Sequence, residues 1–565
     1  MEYRLPNHPS SLISDPLSIL DSEELQVPYW EFLKALLKPM TSSIEAAAVE
    51  ARTDIEEGTS KAQNVEFKRS QRIHSMFFDA LDTIACSLSP TTRTQDFSLL
   101  RSQSPDLLPS ELIHSIIQSA LQLPTLLPSG YLPILGNPPT GSGQHEKQQP
   151  AASASSTSIT LSSDQINCLI CHMLLGTLPT PPWPDASWEP SLAQAWFADD
   201  GRGDREIKNA YIKVLLTYLG DTLRDGHDQQ DKEGQEGEAG LGRTGVTYRL
   251  VEYPSIPRDD VLFASLSNET ADLRNKPLVP LTVCLLDEED DDCEHCFGIE
   301  MKDSNTSKES SITTDMVQLI SANKEVGFGP AATQEERLFG AVPCLLPIVL
   351  FTPPLSPTQG VLVSGNGTAV YARFKGHLRT AKLDTIYSSP DAQKKGRSFL
   401  FLDALEMDGE SHGRDRELEL MKRELRKLIT GFGALEINEQ SGKWRSRARV
   451  VVPPWGCGTF GGDLRVKLLL IWLSASIVSG ELPSFGDQGQ EDGDEKEEEG
   501  MGALELRFSL RQDIWNQLDP EWRHSIQSIS RFRLRVDGNE NDVAQTTWNI
   551  GRFWDEVSSG KCLLP

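Results

Sequence analysis

Apolar positions recur at helical spacing through the first two-fifths of the chain, then give way to short β-branched runs. Trp30, Phe32, Leu33, Leu36 and Leu37 fall at helical spacing in a segment that starts at Pro28, with Pro39 expected to interrupt it. The same periodicity covers 71–86, 109–123 and 205–223. Within 159–179, Ser162 and Gln165 stand at capping-box spacing ahead of an apolar run, which predicts a helix start. Strand-like runs follow at 246–251, 278–286, 316–321, 341–351, 361–364, 398–402 and 448–452, with helical patterns at 415–430 and 463–479. An all-α first part followed by alternating strands and helices predicts an α/β second part, a sheet flanked by helices.

Composition places the boundaries. Residues 1–27 read as a loose polar arm, 28–224 as a helical domain, 225–242 as a charged, glycine-rich linker and 243–565 as the α/β domain. The Pro/Gly/Gln/Ala/Ser stretch at 136–158 reads as a flexible insertion, and the acidic runs at 287–294 and 487–499 as surface insertions. A net charge of −28 argues against general nucleic-acid binding, which needs a basic footprint. A polyanionic ligand would then need a local basic site. Arg373, Lys375, Arg379 and Lys382, and then Lys443, Arg445, Arg447 and Arg449, are candidates beside the alternative of a solvated face. Nine cysteines do not form a disulfide scaffold pattern at this length. The start lacks the blocks of a signal peptide, and the apolar run Leu468–Val478 is too short to span a bilayer. A soluble protein of the nucleus or cytoplasm, with no membrane partner, is expected.

Two stretches carry candidate chemistry. The first is ANKEVGFGPAATQEERLF, residues 322–339, with Asn323, a Gly327-Phe328-Gly329 turn, Pro330, and then Gln334, Glu335 and Glu336. The glycines permit a sharp turn and close approach to a ligand. Pro330 suits a first helical turn, and two carboxylates at a helix start lie in the field of its N-terminus. That is a place for an acid acting on a bound sugar. The plainer alternative is a capping box from Thr333 to Glu336. Successive helical residues are also roughly 100° apart, so the two glutamates need not face one ligand.

The second stretch is PWGCGTFGGDLRVK, residues 454–467, between the β-branched run 450–452 and an apolar helical segment. Gly456, Gly458 and Gly461 form GxGxxG there, the dinucleotide-binding spacing, although a Rossmann unit would carry it earlier in the chain. Under either reading, backbone N–H groups at a helix start can cradle a diphosphate. Cys168, Cys171 and His172 match haem-attachment spacing, yet read better as the core of an apolar helix. Cys293, His295 and Cys296 lack two further ligands for zinc and read as loop.

In these residues the chain resembles the poly(ADP-ribose) glycohydrolases, whose signature is a Gly-rich turn followed by Gln-Glu-Glu. Trp455 to Asp463 is similar, nearly residue for residue, to the family's later loop, and 28–40 and 159–179 resemble its helical accessory domain. The resemblance implies a macrodomain-like mixed sheet and hydrolysis of the ribose–ribose O-glycosidic bond of poly(ADP-ribose), with no cofactor or metal. Its partners would be poly(ADP-ribose), ADP-ribose and ADP-ribosylated proteins. By position, Glu336 would be the catalytic acid, Glu335 and Asn323 would hold hydroxyls of the leaving ribose, and Gln334 would order the turn beside Gly327 and Gly329. Gly456, Cys457, Gly458 and Thr459 would cradle the diphosphate, Phe460 would wall the pocket, and Phe485 would stack on adenine. The chain departs from the family at Ile320, where an Asp is usual, and at Phe374, where a Tyr closes over the ligand. The glycine turn is also shortened. An ADP-ribose-binding macrodomain without turnover is the alternative, and a scaffold role the third.

Overall fold

The computed structural model describes residues 2–56, 62–88, 96–136, 158–230 without 182 and 184–190, 245–252, 259–286, 316–376, 381–387, 397–407, 414–435, 449–480, 504–529, 532–536, 539–541 and 548–559, with single gaps at 23, 25, 104 and 366. The acidic runs, 137–157, Cys293, Cys296 and Phe485 lie outside them.

The N-terminal arm is not loose. Glu2–Arg4 (β1), Leu12–Ser14 (β2) and Gln26–Pro28 (β3) are strands, β2 pairing with β3 and β1 with Tyr131–Pro133 (β4). Tyr3, Leu5, Ile13 and Val27 are buried, and the Tyr3 hydroxyl donates to Pro179 O at 2.6 Å. These few apolar side chains are the anchor that a polar average conceals. Helices Tyr29–Glu56, Ala62–Leu88, Ser110–Leu121, Ser163–Leu174 and Arg205–Gln230 form the helical part. Pro39 sits inside the first of them without ending it, because proline removes one helical bond while the apolar face holds the rest. The Ser162–Gln165 capping box is formed.

The first part is not purely helical either. Its strand Ser158–Ser162 (β5) pairs antiparallel with Gly245–Val251 (β6) and so joins the main sheet. The other strands are Leu281–Leu286 (β7), Met316–Ala322 (β8), Gly360–Gly365 (β9), Ser398–Asp403 (β12), Arg449–Val452 (β13), Glu505–Arg511 (β14), Phe532–Val536 (β15) and Asn539–Asn541 (β16), while Ala372–Lys375 (β10) and Lys382–Ile386 (β11) make a separate hairpin. The ten-stranded order is β16-β15-β7-β14-β13-β8-β12-β9-β6-β5. The run from β15 to β12 is parallel and its flanks are antiparallel, which makes the sheet mixed.

One correction concerns 341–351. This apolar run is a 3-10 helix over Pro343–Leu350, fully buried. Pro343 and Pro347 cannot donate to a sheet ladder, and an all-apolar run has no period to distinguish strand from helix.

The sheet separates two cores. Ile320, Val361, Val363, Phe399 and Phe401 face a cluster shared with the helical part, including Ile170, Leu215 and Leu338. Leu319, Leu400, Leu402, Val450 and Val452 face a second cluster with Leu425, Leu469 and Trp472. The helix that follows β8, Gln334–Ala341, lies on the first face, and the one that follows β13, Leu464–Gly480, on the second. Neighbouring parallel strands thus send their connections to opposite sides, which opens a crevice at their carboxyl ends where ligands bind in such sheets.

Candidate functional site

Both signature stretches leave the sheet at this crevice. After β8, the chain turns through 323–333 and enters the helix at Thr333, whose hydroxyl accepts from Glu336 N at 3.3 Å while Glu336 Oε2 accepts from Thr333 N at 3.0 Å. Glu336 Oε1 also accepts from Ala331 N at 3.3 Å. Pro330 therefore lies in the loop ahead of the cap, not in the first helical turn. Gln334 ties the helix to the strand: its Oε1 accepts from Ser321 N at 2.9 Å.

Glu335 points the other way, into the crevice wall. Its Oε2 accepts from Asn323 N at 2.9 Å and Nδ2 at 2.8 Å, and its Oε1 from Gly327 N at 3.0 Å. It is 1% exposed. Burial pushes its carboxyl up to about 8, against the pull of the Asn323 and Gly327 N–H donors, and the adjacent Glu336 adds to the rise. Such a group carries a proton near neutral pH. Neither Gly327 nor Gly329 takes a left-handed backbone angle.

The opposite wall is the 453–463 loop. Left-handed φ values of +75° and +67° at Gly456 and Gly461 shape it, and a Cβ at Gly456 would sit 2.9 Å from the Ala404 Cβ. The N–H groups of Gly456, Cys457, Gly461 and Gly462 bond to Ser321 Oγ, Pro454 O, Gly458 O and Gly456 O. Those of Gly458, Thr459 and Phe460 have no bond to another described residue, so the anion-binding capacity of the loop falls at 458–460. Beneath it, buried Lys467 reaches Glu424 and lies 4.8 Å over the Trp455 ring. Asp403, Arg423 and Lys427 continue this buried ion network. Asp463 resists burial and stays ionised because Arg465 and Arg416 hold its carboxyl below the usual range. Burial pushes the Cys457 thiol up to about 12, with Lys467 opposing, so it is a neutral wall and not a nucleophile.

The crevice is lined by Asn323, Gln334, Glu335, Cys457, Gly458, Thr459 and Phe460 among the expected residues. Ser321, Arg337, Pro453, Pro454, Leu464 and Ile514 line it as well. Arg337, Pro454 and Leu464 belong to the two stretches but carried no expected role, and Ser321, Pro453 and Ile514 lie outside both. Arg337 brings a cation to the wall, its Nη1 donating to Gly376 O at 3.1 Å. Glu336 is not on the wall: the capping-box alternative is the geometry it adopts. Phe374 is not there either; it is fully buried with its ring 5.5 Å from that of Tyr211. Arg373 and Lys375 share Asp384, and Lys382 reaches Glu206 on the helix Arg205–Gln230, so carboxylates engage all three described members of this cluster. Arg449 pairs with Glu505, and Arg379, Lys443, Arg445 and Arg447 lie outside the described residues.

Comparison with known families matches residues 292–491 to the poly(ADP-ribose) glycohydrolase macro domain fold and residues 101–234 to the helical domain of the same family. Together these regions span more than half of the 565 residues. The chain belongs to the poly(ADP-ribose) glycohydrolase family. It is a glycosidase acting on poly(ADP-ribose). The macro domain match includes both crevice walls, from Asn323 to Phe460. Ile514, on the Gln512–Gln517 helix after β14, comes from beyond the matched region, so this glycohydrolase completes its cleft with its own C-terminal segment. No helix among the described residues is long and apolar enough to cross a membrane.

Proposed function

We propose that the crevice holds the terminal ADP-ribose of a poly(ADP-ribose) chain, with its diphosphate against the Gly458, Thr459 and Phe460 N–H groups and its ribose against Asn323 and Glu335. The bond cleaved is the ribose–ribose O-glycosidic bond. Glu336, at the second Glu of the signature, is the acid in this reading: protonated, it donates to the leaving hydroxyl as oxocarbenium character develops, then takes a proton from the attacking water. Glu335 and Asn323 fix the hydroxyls of the bound ribose on which that charge develops. A single residue then serves as acid and base, where glycosidases commonly use two separated carboxylates. Proteins bearing poly(ADP-ribose) are the partners, and the charge of −28 disfavours nucleic acid. The observation that carries this reading is the meeting of Gln334-Glu335 and the 458–460 turn across one crevice at the ends of β8 and β13.

One observation favours exchanging the two acids. Glu335 lines the crevice with its carboxyl pushed up to about 8, whereas the Glu336 oxygens are turned to Ala331 and Thr333. A time course of ADP-ribose release from poly(ADP-ribose) by wild type, Glu335→Gln and Glu336→Gln decides between them. Loss confined mainly to Glu336→Gln supports the motif assignment, and loss confined mainly to Glu335→Gln exchanges the roles. A wild-type protein that binds ADP-ribose by calorimetry but releases none from polymer would leave only a binding module.

A further inference from the structure

The signature turn is held from outside by the helical part of the protein. Trp196, on the short turn Ala193–Phe197, donates its Nε1–H to Gly329 O at 3.0 Å. Tyr211, on the helix Arg205–Gln230, donates its hydroxyl to Ala331 O at 2.8 Å. Both rings are fully buried and lie 5.1 Å apart. Between these two anchors, Pro330 packs on Gly203. A Cβ at Gly203 would come within 2.0 Å of Pro330 O, and its φ of +70° suits glycine. Phe328 fills the space between Trp196 and Phe339, at ring distances of 5.5 and 6.2 Å. Gly340 lets Tyr211 approach, since a Cβ there would lie 2.1 Å from its ring.

The inner side of the same turn holds the two acids. Gly327 N donates to Glu335, and Ala331 N donates to Glu336. Carbonyls anchored outward and N–H groups directed inward alternate along five residues. A turn of this composition has wide conformational freedom unless something fixes it, and within it only backbone groups reach the carboxylates.

We propose that Trp196 and Tyr211 are positioning residues for hydrolysis: the helical part sets where Glu335 and Glu336 stand by clamping the backbone of 329–331. The proposal rests on the reading that this pair carries the proton transfers. It also gives the Phe at 328 a purpose that a run of glycines could not serve, since its ring is the peg by which the turn seats against Trp196.

Tyr211→Phe keeps the buried ring and deletes one hydroxyl, and Trp196→Phe keeps apolar fill and deletes one N–H. Each is measured for kcat and KM on poly(ADP-ribose), for ADP-ribose affinity by calorimetry, and for the pH dependence of kcat, at a temperature where circular dichroism shows full folding. Small misplacements of catalytic groups cost up to about 100-fold, so a single lost anchor is expected to lower kcat by roughly 5–20-fold. The affinity for ADP-ribose should fall less than kcat, because the 458–460 wall is untouched and only the Glu335 contact to the ribose loosens. The double variant should lose less than the product of the single losses, as both anchors act on one turn. A limb of the kcat–pH profile should also move, which loss of folded protein alone would not produce. Unchanged kcat and pH profile in folded Tyr211→Phe would overturn the proposal, as would a loss appearing only in ADP-ribose affinity. If Trp196→Phe fails to fold, the hydroxyl deletion still decides. Failure of the underlying site reading shows differently, as a wild-type protein without turnover or a Glu335→Gln, Glu336→Gln double variant that retains it.

Discussion

Replacing Glu335 with Gln preserves the side chain's shape and removes its ionisation. In the folded protein this carboxyl is pushed from 4.5 up to about 8, burial being the largest cause. A raised carboxyl pKa means that the folded state binds the proton more tightly than the unfolded chain does. Its stabilisation is fully present below about pH 4.5 and is lost as pH climbs through about 8. At about 1.4 kcal/mol per pH unit, going from about pH 5.5 to about pH 7.5 should remove roughly 2–3 kcal/mol through this one group. Glu335→Gln should start lower at acid pH. Its amide can still accept at one oxygen, but its NH₂ must oppose either Gly327 N–H or the Asn323 donors, at about 1–3 kcal/mol. The informative quantity is therefore the slope. Urea unfolding of both proteins at several pH values should show wild type losing about 2–3 kcal/mol more than the variant across that window. If the difference between the two is flat, the three N–H donors outweigh burial and Glu335 is ionised in the fold, which would refute the reasoning.

Glu336→Gln should lower turnover by about 10²–10⁴ with ADP-ribose affinity largely kept, as measured by polymer hydrolysis and calorimetry; unaltered turnover would falsify its assignment as the acid. Gly458→Val, exposed on the crevice rim, should fold normally and abolish ADP-ribose binding by occupying diphosphate space, so wild-type affinity would count against that placement. Gly456→Ala should instead lower the melting temperature, because a Cβ there would meet Ala404 and the backbone is left-handed. Lys467→Met should cost about 3–5 kcal/mol in urea unfolding by leaving buried Glu424 without this partner, and a neutral result would mean that Arg423 alone satisfies it.

Much of the fold was legible because its elements have clear periods. The helix starts at Ser163 and Arg205, and most strands from β6 to β13, fall within a few residues of where the apolar pattern puts them. Part of the crevice lining was legible, in Asn323, Gln334, Glu335 and the loop from Cys457 to Phe460. What escaped has physical reasons. The 3-10 run at 343–350 is apolar throughout and offers no alternation. The arm is tied down by a few side chains such as Tyr3 and Leu5, too sparse to raise its average hydropathy. Which glutamate faces the crevice depends on where the helix begins, and Thr333 at the cap fixes that by a hydrogen bond, not by a pattern. The resemblance placed Phe374 over the ligand, and its packing against Tyr211 joins residues far apart in sequence that no local pattern connects. Ile514 came from a C-terminal stretch that carries no motif.

The strand at 158–162 has a consequence for how this enzyme can be cut. It covers the outer edge of β6, and the helices on either side of it cover the face of the sheet that carries Ile320, Val363 and Phe401. A fragment beginning just before β6 would present an unpaired β6 edge beside a bare apolar wall, the combination that recruits other chains into aggregates. The helical part and the sheet share one buried cluster and one strand ladder. Truncation or domain exchange should respect a seam that runs through the sheet and not through the charged stretch between the two halves.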